Sequence, residues 1–178
     1  MRYFKKIVGE RLYLSPMHTG DAEIYTQWLN DASVSDNLGT YTKMISLASE
    51  EKALERMACE GHNYAMVLLS GDRLIGNISL MEIDGISRRA TIGLFIGDAE
   101  NRGKGYGAEA LRLLLGYGFR TLNLHNVMLH VHADNAQAIA CYQKVGFREF
   151  GRRREALFKK GSYIDVIHMD ILDSEFCG

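Results

Sequence analysis

Asn101-Arg102-Gly103-Lys104-Gly105-Tyr106-Gly107-Ala108-Glu109-Ala110 follows an apolar strand-like run that ends at Ile96 and leads into a helix-like run. With no Cβ at Gly103, Gly105 and Gly107, such a loop turns tightly and lets its backbone N–H groups close on an anion. The helix that follows adds the positive end of its dipole. Arg102 and Lys104 bring cationic side chains to the same segment, so a polyphosphate held there needs no metal. The bland reading is a glycine-rich turn that binds nothing, and the surrounding sequence decides between the two.

Upstream of the loop, residues 64–69, 74–83 and 89–96 form three apolar runs separated by the turns Ser70-Gly71-Asp72-Arg73 and Asp84-Gly85, the pattern of an antiparallel meander. Further back, residues 12–14 alternate as a short strand. Asp21 then precedes Glu23, Ile24, Tyr25, Trp28 and Leu29, whose spacing is helical. A polar loop is expected around residues 33–42, and a second helix from Ser49 to about Glu60, with carboxylates in its first turn.

Downstream, Ala110, Leu111, Leu114, Leu115 and Phe119 predict a helix, and Val127, Leu129 and Val131 a strand. Asp134-Asn135 opens a helix carrying Ala138, Ile139, Cys141, Tyr142 and Val145, which Gly146 ends. Residues 147–158 and 163–172, joined by Lys159-Lys160-Gly161-Ser162, close the chain as a hairpin. The expected fold is an α/β (α+β) domain, residues 1–178, with one mixed sheet of about seven strands and about four helices.

The bulk composition fits this. A chain of 178 residues with 47% hydrophobic and 24% charged residues has enough for one real core. The formal net charge of −1 speaks against a protein whose main partner is nucleic acid, since that affinity rests on a basic surface. The three cysteines, Cys59, Cys141 and Cys177, have neither disulfide-framework nor zinc-ligand spacing. The start Met1-Arg2-Tyr3-Phe4-Lys5-Lys6 lacks the apolar core of a signal peptide, and no run approaches the ~20 apolar residues that span a bilayer. A cytoplasmic protein with no membrane contact is expected.

The loop fails two common phosphate motifs. A Walker A loop needs four residues between its glycines and a hydroxyl after the lysine; here five separate Gly97 from Gly103, and Gly105 follows Lys104. Gly103, Gly105 and Ala108 satisfy the dinucleotide pattern G-x-G-x-x-A, but they lie several residues beyond the strand, after a meander, with no ribose-binding acid at the expected distance.

Arg102-Gly103-Lys104-Gly105-Tyr106-Gly107 instead resembles the [RQ]-x-x-G-x-[GA] motif of the GNAT superfamily of N-acetyltransferases. A second block, residues 135–147, resembles the family's N-x-x-A-x-x-x-Y-x-x-x-G-F. Arg11-Leu12-Tyr13-Leu14, Asp21, Trp28 and Gly161-Ser162-Tyr163-Ile164-Asp165 look like the branch of ribosomal-protein acetyltransferases, which includes spermidine N-acetyltransferases. The resemblance implies a sheet splayed between the strand ending at Ile96 and the strand from Val127, with acetyl-CoA entering the gap. It implies that the pyrophosphate lies on the amides of Arg102, Gly103, Lys104, Gly105, Tyr106, Gly107 and Ala108. It further implies that the pantetheine pairs with Leu94, Phe95 and Ile96, with Asn135 and Lys144 as further contacts.

Acetyl transfer needs a neutral amine at the thioester carbonyl and a proton for the departing thiolate. Tyr142 is the expected proton donor. Related enzymes often carry a glutamate early in the strand before the loop; here that place falls on Thr91, and Glu82 on the preceding strand is the substitute candidate for the base. His130 and His132 share a strand face and are of a type that titrates near neutrality. Asp21, Glu23, Glu50, Glu51, Glu55 and Glu60 place acid on or near the first two helices, which would attract a polyamine or basic peptide. Arg152, Arg153, Arg154, Lys159 and Lys160 could meet an anion or keep an exposed hairpin soluble.

The expected activity is therefore acetyl-CoA-dependent N-acetylation of a primary amine: a protein N-terminus, polyamine, amino sugar or other small amine. The contrasting reading is a non-catalytic acyl-CoA-binding regulatory module, which the absence of an acid at position 91 keeps open. The final hairpin's open edges suit a homodimer.

Overall fold

The computed structural model describes residues Arg2 to Cys177; Met1 and Gly178, the ends of the expected domain, lie outside the described residues. By contacts the chain separates into two compact units, Met1–Ser79 with Leu94–Ala110, and Leu80–Gly93 with Leu111–Gly178. The hydrogen-bonded order in one mixed sheet is β1 (Ile7–Val8), β2 (Leu12–Pro16), β3 (Asn63–Leu68), β4 (Arg73–Asp84), β5 (Arg89–Ile96), β6 (Asn126–His132), β8 (Ser162–Leu172), β7 (Arg148–Lys159).

The first unit contains β1 (Ile7–Val8), β2 (Leu12–Pro16), α1 (Ala22–Asn30), α2 (Ala32–Leu38), α3 (Leu47–Cys59) and β3 (Asn63–Leu68). It also holds the start of β4 (Arg73–Asp84), the end of β5 (Arg89–Ile96) and the first turn of α4 (Tyr106–Arg120). Leu12, Tyr13, Leu14 and Ser15 of β2 are all buried, so both faces of that strand are covered. Its core gathers Tyr3, Tyr13, Met17, Tyr25, Leu54, Ala65, Val67 and Leu74, with Trp28 and Phe95 packed against them.

α2 corrects the sequence expectation of a polar loop over residues 33–42. The Asp31 side chain accepts from the Ser33 amide at 2.7 Å and caps the helix, Val34 and Ser35 turn inward, and Gly39 ends it at φ 70°. One buried valine among polar residues is too weak a period to announce a helix. With α2 and the two-residue β1, the described residues hold five α-helices and eight strands, against about four and about seven expected.

The second unit holds the rest of β4, β5 and α4, then β6 (Asn126–His132), α5 (Ala136–Val145), β7 (Arg148–Lys159) and β8 (Ser162–Leu172). β6 pairs antiparallel with β8 along its whole length. Its parallel ladder to β5 joins only Arg89 to Asn126, Ala90 to Val127 and Thr91 to Met128, although both strands run on. Past Thr91, β5 therefore has no β6 partner, as the expected splay requires. No helix among the described residues is long and apolar enough to cross a membrane.

Candidate active site

The loop lies wholly within the first unit. Gly103 at φ 74° and Gly105 at φ 84° occupy the left-handed region, where a Cβ is strained, so the glycines are required there by backbone shape. Gly107 is helical, because α4 starts at Tyr106, four residues before the expected Ala110. The Arg102 amide donates to Ala99 O at 3.2 Å and the Glu109 amide to Gly105 O at 3.1 Å; between them, the N–H groups from Gly103 to Ala108 meet no acceptor among the described residues. Gly107 and Ala108 are buried. A run of unpaired donors at a helix start, two of them on buried residues, is able to take an anion.

Arg102 does not hold its cationic side chain free at the loop. Its guanidinium donates to Ile96 O at 2.9 Å, Gly97 O at 2.8 Å and Ser33 Oγ at 2.9 Å. It ties the loop to the end of β5, where Leu94, Phe95 and Ile96 are half-buried. Lys104 is exposed.

Two residues that the sequence did not single out for the loop shape it. Ser33 accepts from Arg102, and Arg11 binds both the loop and the helix. The Arg11 amide and Nε donate to Glu109 at 2.8 Å each, and Nη1 donates to Lys104 O at 2.9 Å. The guanidinium carbon stands 4.8 Å from the centroid of the Tyr106 ring. Burial pushes the Glu109 carboxyl up, but the Arg11 amide and guanidinium outweigh it and hold the group below the ordinary glutamate range.

The acidic residues of the first unit divide. Asp21 is buried, bonded to Arg2, and accepts from the Tyr3 hydroxyl at 3.0 Å. Glu50 is buried as well, and burial raises its pKa. Glu23, Glu51, Glu55 and Glu60 are exposed; Glu60 pairs with Arg56 at 3.6 Å, and the other three remain available to attract a cation.

In the second unit, Glu82 is exposed within β4 at φ 52°, a left-handed conformation uncommon for a side-chain-bearing residue. Buried Thr91 reaches it from β5, its hydroxyl donating to Glu82 Oε2 at 2.7 Å. The position that lacks an acid thus touches the acid on the neighbouring strand.

α5 carries the second motif. Asn135 caps it, its Oδ1 accepting from the Ala138 amide at 3.1 Å, and Gly146 closes it at φ 115°. With Oδ1 engaged, Asn135 has its Nδ2 left for a ligand. Tyr142 is half-buried, its ring edge-on to Phe147 at 5.9 Å. Burial, reinforced by Cys141, pushes its pKa up to about 12, so the phenol keeps its proton across the working range. Lys144 is exposed, and its carbonyl accepts from Arg112 at 3.1 Å.

His130 stands opposite His168 on β8, ring centroids 6.4 Å apart. Of the hairpin's basic residues, Lys159 is buried against Asp134, and Arg152 pairs with Glu149 and Asp165.

Residues 11–148 match the acetyltransferase (GNAT) domain family. A probable N-acetyltransferase of Bacillus subtilis, YjcK, is 34% identical over 178 residues, 94% of this chain and 97% of that protein. A spermidine N(1)-acetyltransferase of Vibrio cholerae is 40% identical over 103 residues, 58% of this chain and 59% of that enzyme. The crystal structure of the spermidine N-acetyltransferase from Vibrio cholerae in complex with CoA and spermine superposes with a TM-score of 0.81 at 29% identity, covering 94% of this chain and 98% of that one. With its family matched over more than half its length and YjcK aligned across nearly all of it, the chain belongs to the GNAT acetyltransferases and is an N-acetyltransferase.

Proposed function

We propose that the protein is a cytoplasmic enzyme, its whole chain forming one N-acetyltransferase domain, that transfers the acetyl group of acetyl-CoA to a primary amine. The observation that carries the donor half is the row of unpaired amides from Gly103 to Ala108 at the start of α4. Such a seat suits the pyrophosphate of coenzyme A. The β5 backbone at Leu94, Phe95 and Ile96, past the end of the β6 ladder, suits the pantetheine amides, and Asn135 and Lys144 are further donor contacts.

In the reaction the amine nitrogen forms a bond to the acetyl carbonyl carbon and the carbon–sulfur bond breaks. Tyr142 donates its phenolic proton to the departing sulfur, which leaves as the thiol of coenzyme A. Glu82, steadied by Thr91, takes the proton that the amine loses, through water at its exposed carboxylate. Solvent returns the phenol's proton. No metal enters.

For the acceptor, a polyamine is the first class to test. The exposed acids Glu23, Glu51 and Glu55 favour a cation, and the Vibrio cholerae structure of 29% identity holds spermine. Peptide N-termini and amino sugars complete the panel. A homodimer is the proposed assembly.

The test is thermal melting followed by thiol release. A hundredfold excess of acetyl-CoA over its Kd stabilises a native state by about 2.7 kcal/mol and raises Tm by several degrees, whereas ATP and NAD leave it unchanged. A rise with ATP and none with acetyl-CoA overturns the donor assignment. In the release assay with spermidine, Glu82→Gln lowers kcat by about 10²-fold or more, the scale of a lost general base. An unchanged kcat removes Glu82 as the base.

A further inference from the structure

We propose that Arg11 is a positioning residue for the donor's phosphates: it aims one loop amide at them and neutralises the carboxylate that would otherwise oppose them. The inference rests on the reading of the Gly103–Ala108 amides as the phosphate seat and adds to it a residue from the far end of the sequence.

The first part is geometric. In a trans peptide the C=O and the following N–H point in opposite directions. Arg11 Nη1 holds Lys104 O at 2.9 Å, so it fixes the plane of the Lys104–Gly105 peptide and turns the Gly105 N–H away from Arg11, into the row of unpaired donors. Gly105 stands at φ 84°, where a glycine peptide rotates freely unless something holds it. Arg11 is that hold. Its guanidinium is itself fixed, by Nε to Glu109 at 2.8 Å and by stacking on Tyr106.

The second part is electrostatic. Glu109 lies in the first turn of α4, next to the donors offered to a polyanion, and its side chain is 14% exposed. A carboxylate there favours the helix dipole but repels phosphate. Its oxygens accept from Arg11 Nε, the Arg11 amide and, at 3.4 Å, the Leu12 amide, so the negative charge is compensated and directed away from the loop. Loss of Arg11 removes the hold on the peptide and uncovers the charge together.

The two parts separate in a double-mutant cycle on the full chain, read by calorimetric Kd for coenzyme A and by KM and kcat for acetyl-CoA. Arg11→Ala is expected to raise Kd and KM about tenfold or more, the scale of one charge-assisted bond, with kcat within about twofold. The double variant Arg11→Ala/Glu109→Gln is expected to recover part of that loss, because the uncovered charge is gone. Arg11→Lys keeps the cation but not the fork, and falls between wild type and Arg11→Ala even if the alanine variant folds poorly.

If wild type binds coenzyme A and Arg11→Ala or Arg11→Lys binds it equally well, Arg11 is structural only and the proposal fails while the phosphate seat stands. A fall in kcat with unchanged KM also overturns it. If wild type itself shows no coenzyme A binding, the phosphate seat fails first and takes this inference with it.

Discussion

The loop at the start of α4 and the helix α5 both carry a family motif, yet they offer a ligand different things. The loop presents main chain: the amides from Gly103 to Ala108 have no acceptor among the described residues, while the Arg102 guanidinium is bound to Ile96, Gly97 and Ser33. α5 presents side chains: Tyr142 with a retained proton, and Asn135 with its oxygen committed to the cap. Binding of the donor should therefore depend on backbone shape at the loop, and chemistry on a single atom at α5.

Substitutions can break that contrast. The largest effect is expected for Tyr142→Phe, which removes one oxygen from α5 and should lower kcat by about 10² to 10⁴ with little change in the KM for acetyl-CoA. Steady-state kinetics checks this, and an unaltered kcat would return Tyr142 to the role of a packing residue. Because burial raises the phenol's pKa to about 12, wild-type kcat should also show no loss from phenol ionisation below about pH 10.

Next comes Gly105→Ala. A non-glycine residue at φ 84° is strained by about 1–2 kcal/mol, and the added Cβ would lie 3.4 Å from Arg11 Nη2. The KM for acetyl-CoA should rise about tenfold while kcat at saturating donor changes far less. The reverse split would show that the loop serves the chemical step instead. The smallest effect is expected for Asn135→Ala, which removes the α5 cap and should cost about 1 kcal/mol of stability. Calorimetry would show this as a Tm lower by about 2–4 °C. A large rise in donor KM without that loss would mean that Asn135 acts mainly on the ligand.

Local signals carried most of the fold. The strand β4 stood between two turns and was bounded by the apolar run itself, and α5 had both a capping asparagine and a terminal glycine. α2 was hidden because only Val34 and Ser35 face inward, leaving a polar segment that reads as loop. Within the site, the glycines at 103 and 105 were readable because left-handed backbone has a residue-type signature. The Arg11–Glu109 pair was not, since the two are 98 residues apart and each alone reads as an ordinary surface charge. Thr91 was read as a missing acid; only its contact with Glu82 shows what the hydroxyl does.

A seat built from peptide groups cannot be deleted by truncating side chains. Alanine scanning of the loop would pass lightly over Lys104, whose amide survives the substitution, and would register strongly only at the left-handed glycines and at whatever fixes their peptides. The most important contacts of such a site are therefore nearly silent in a conventional scan, and the residues that do answer, Arg11 among them, need never touch the ligand.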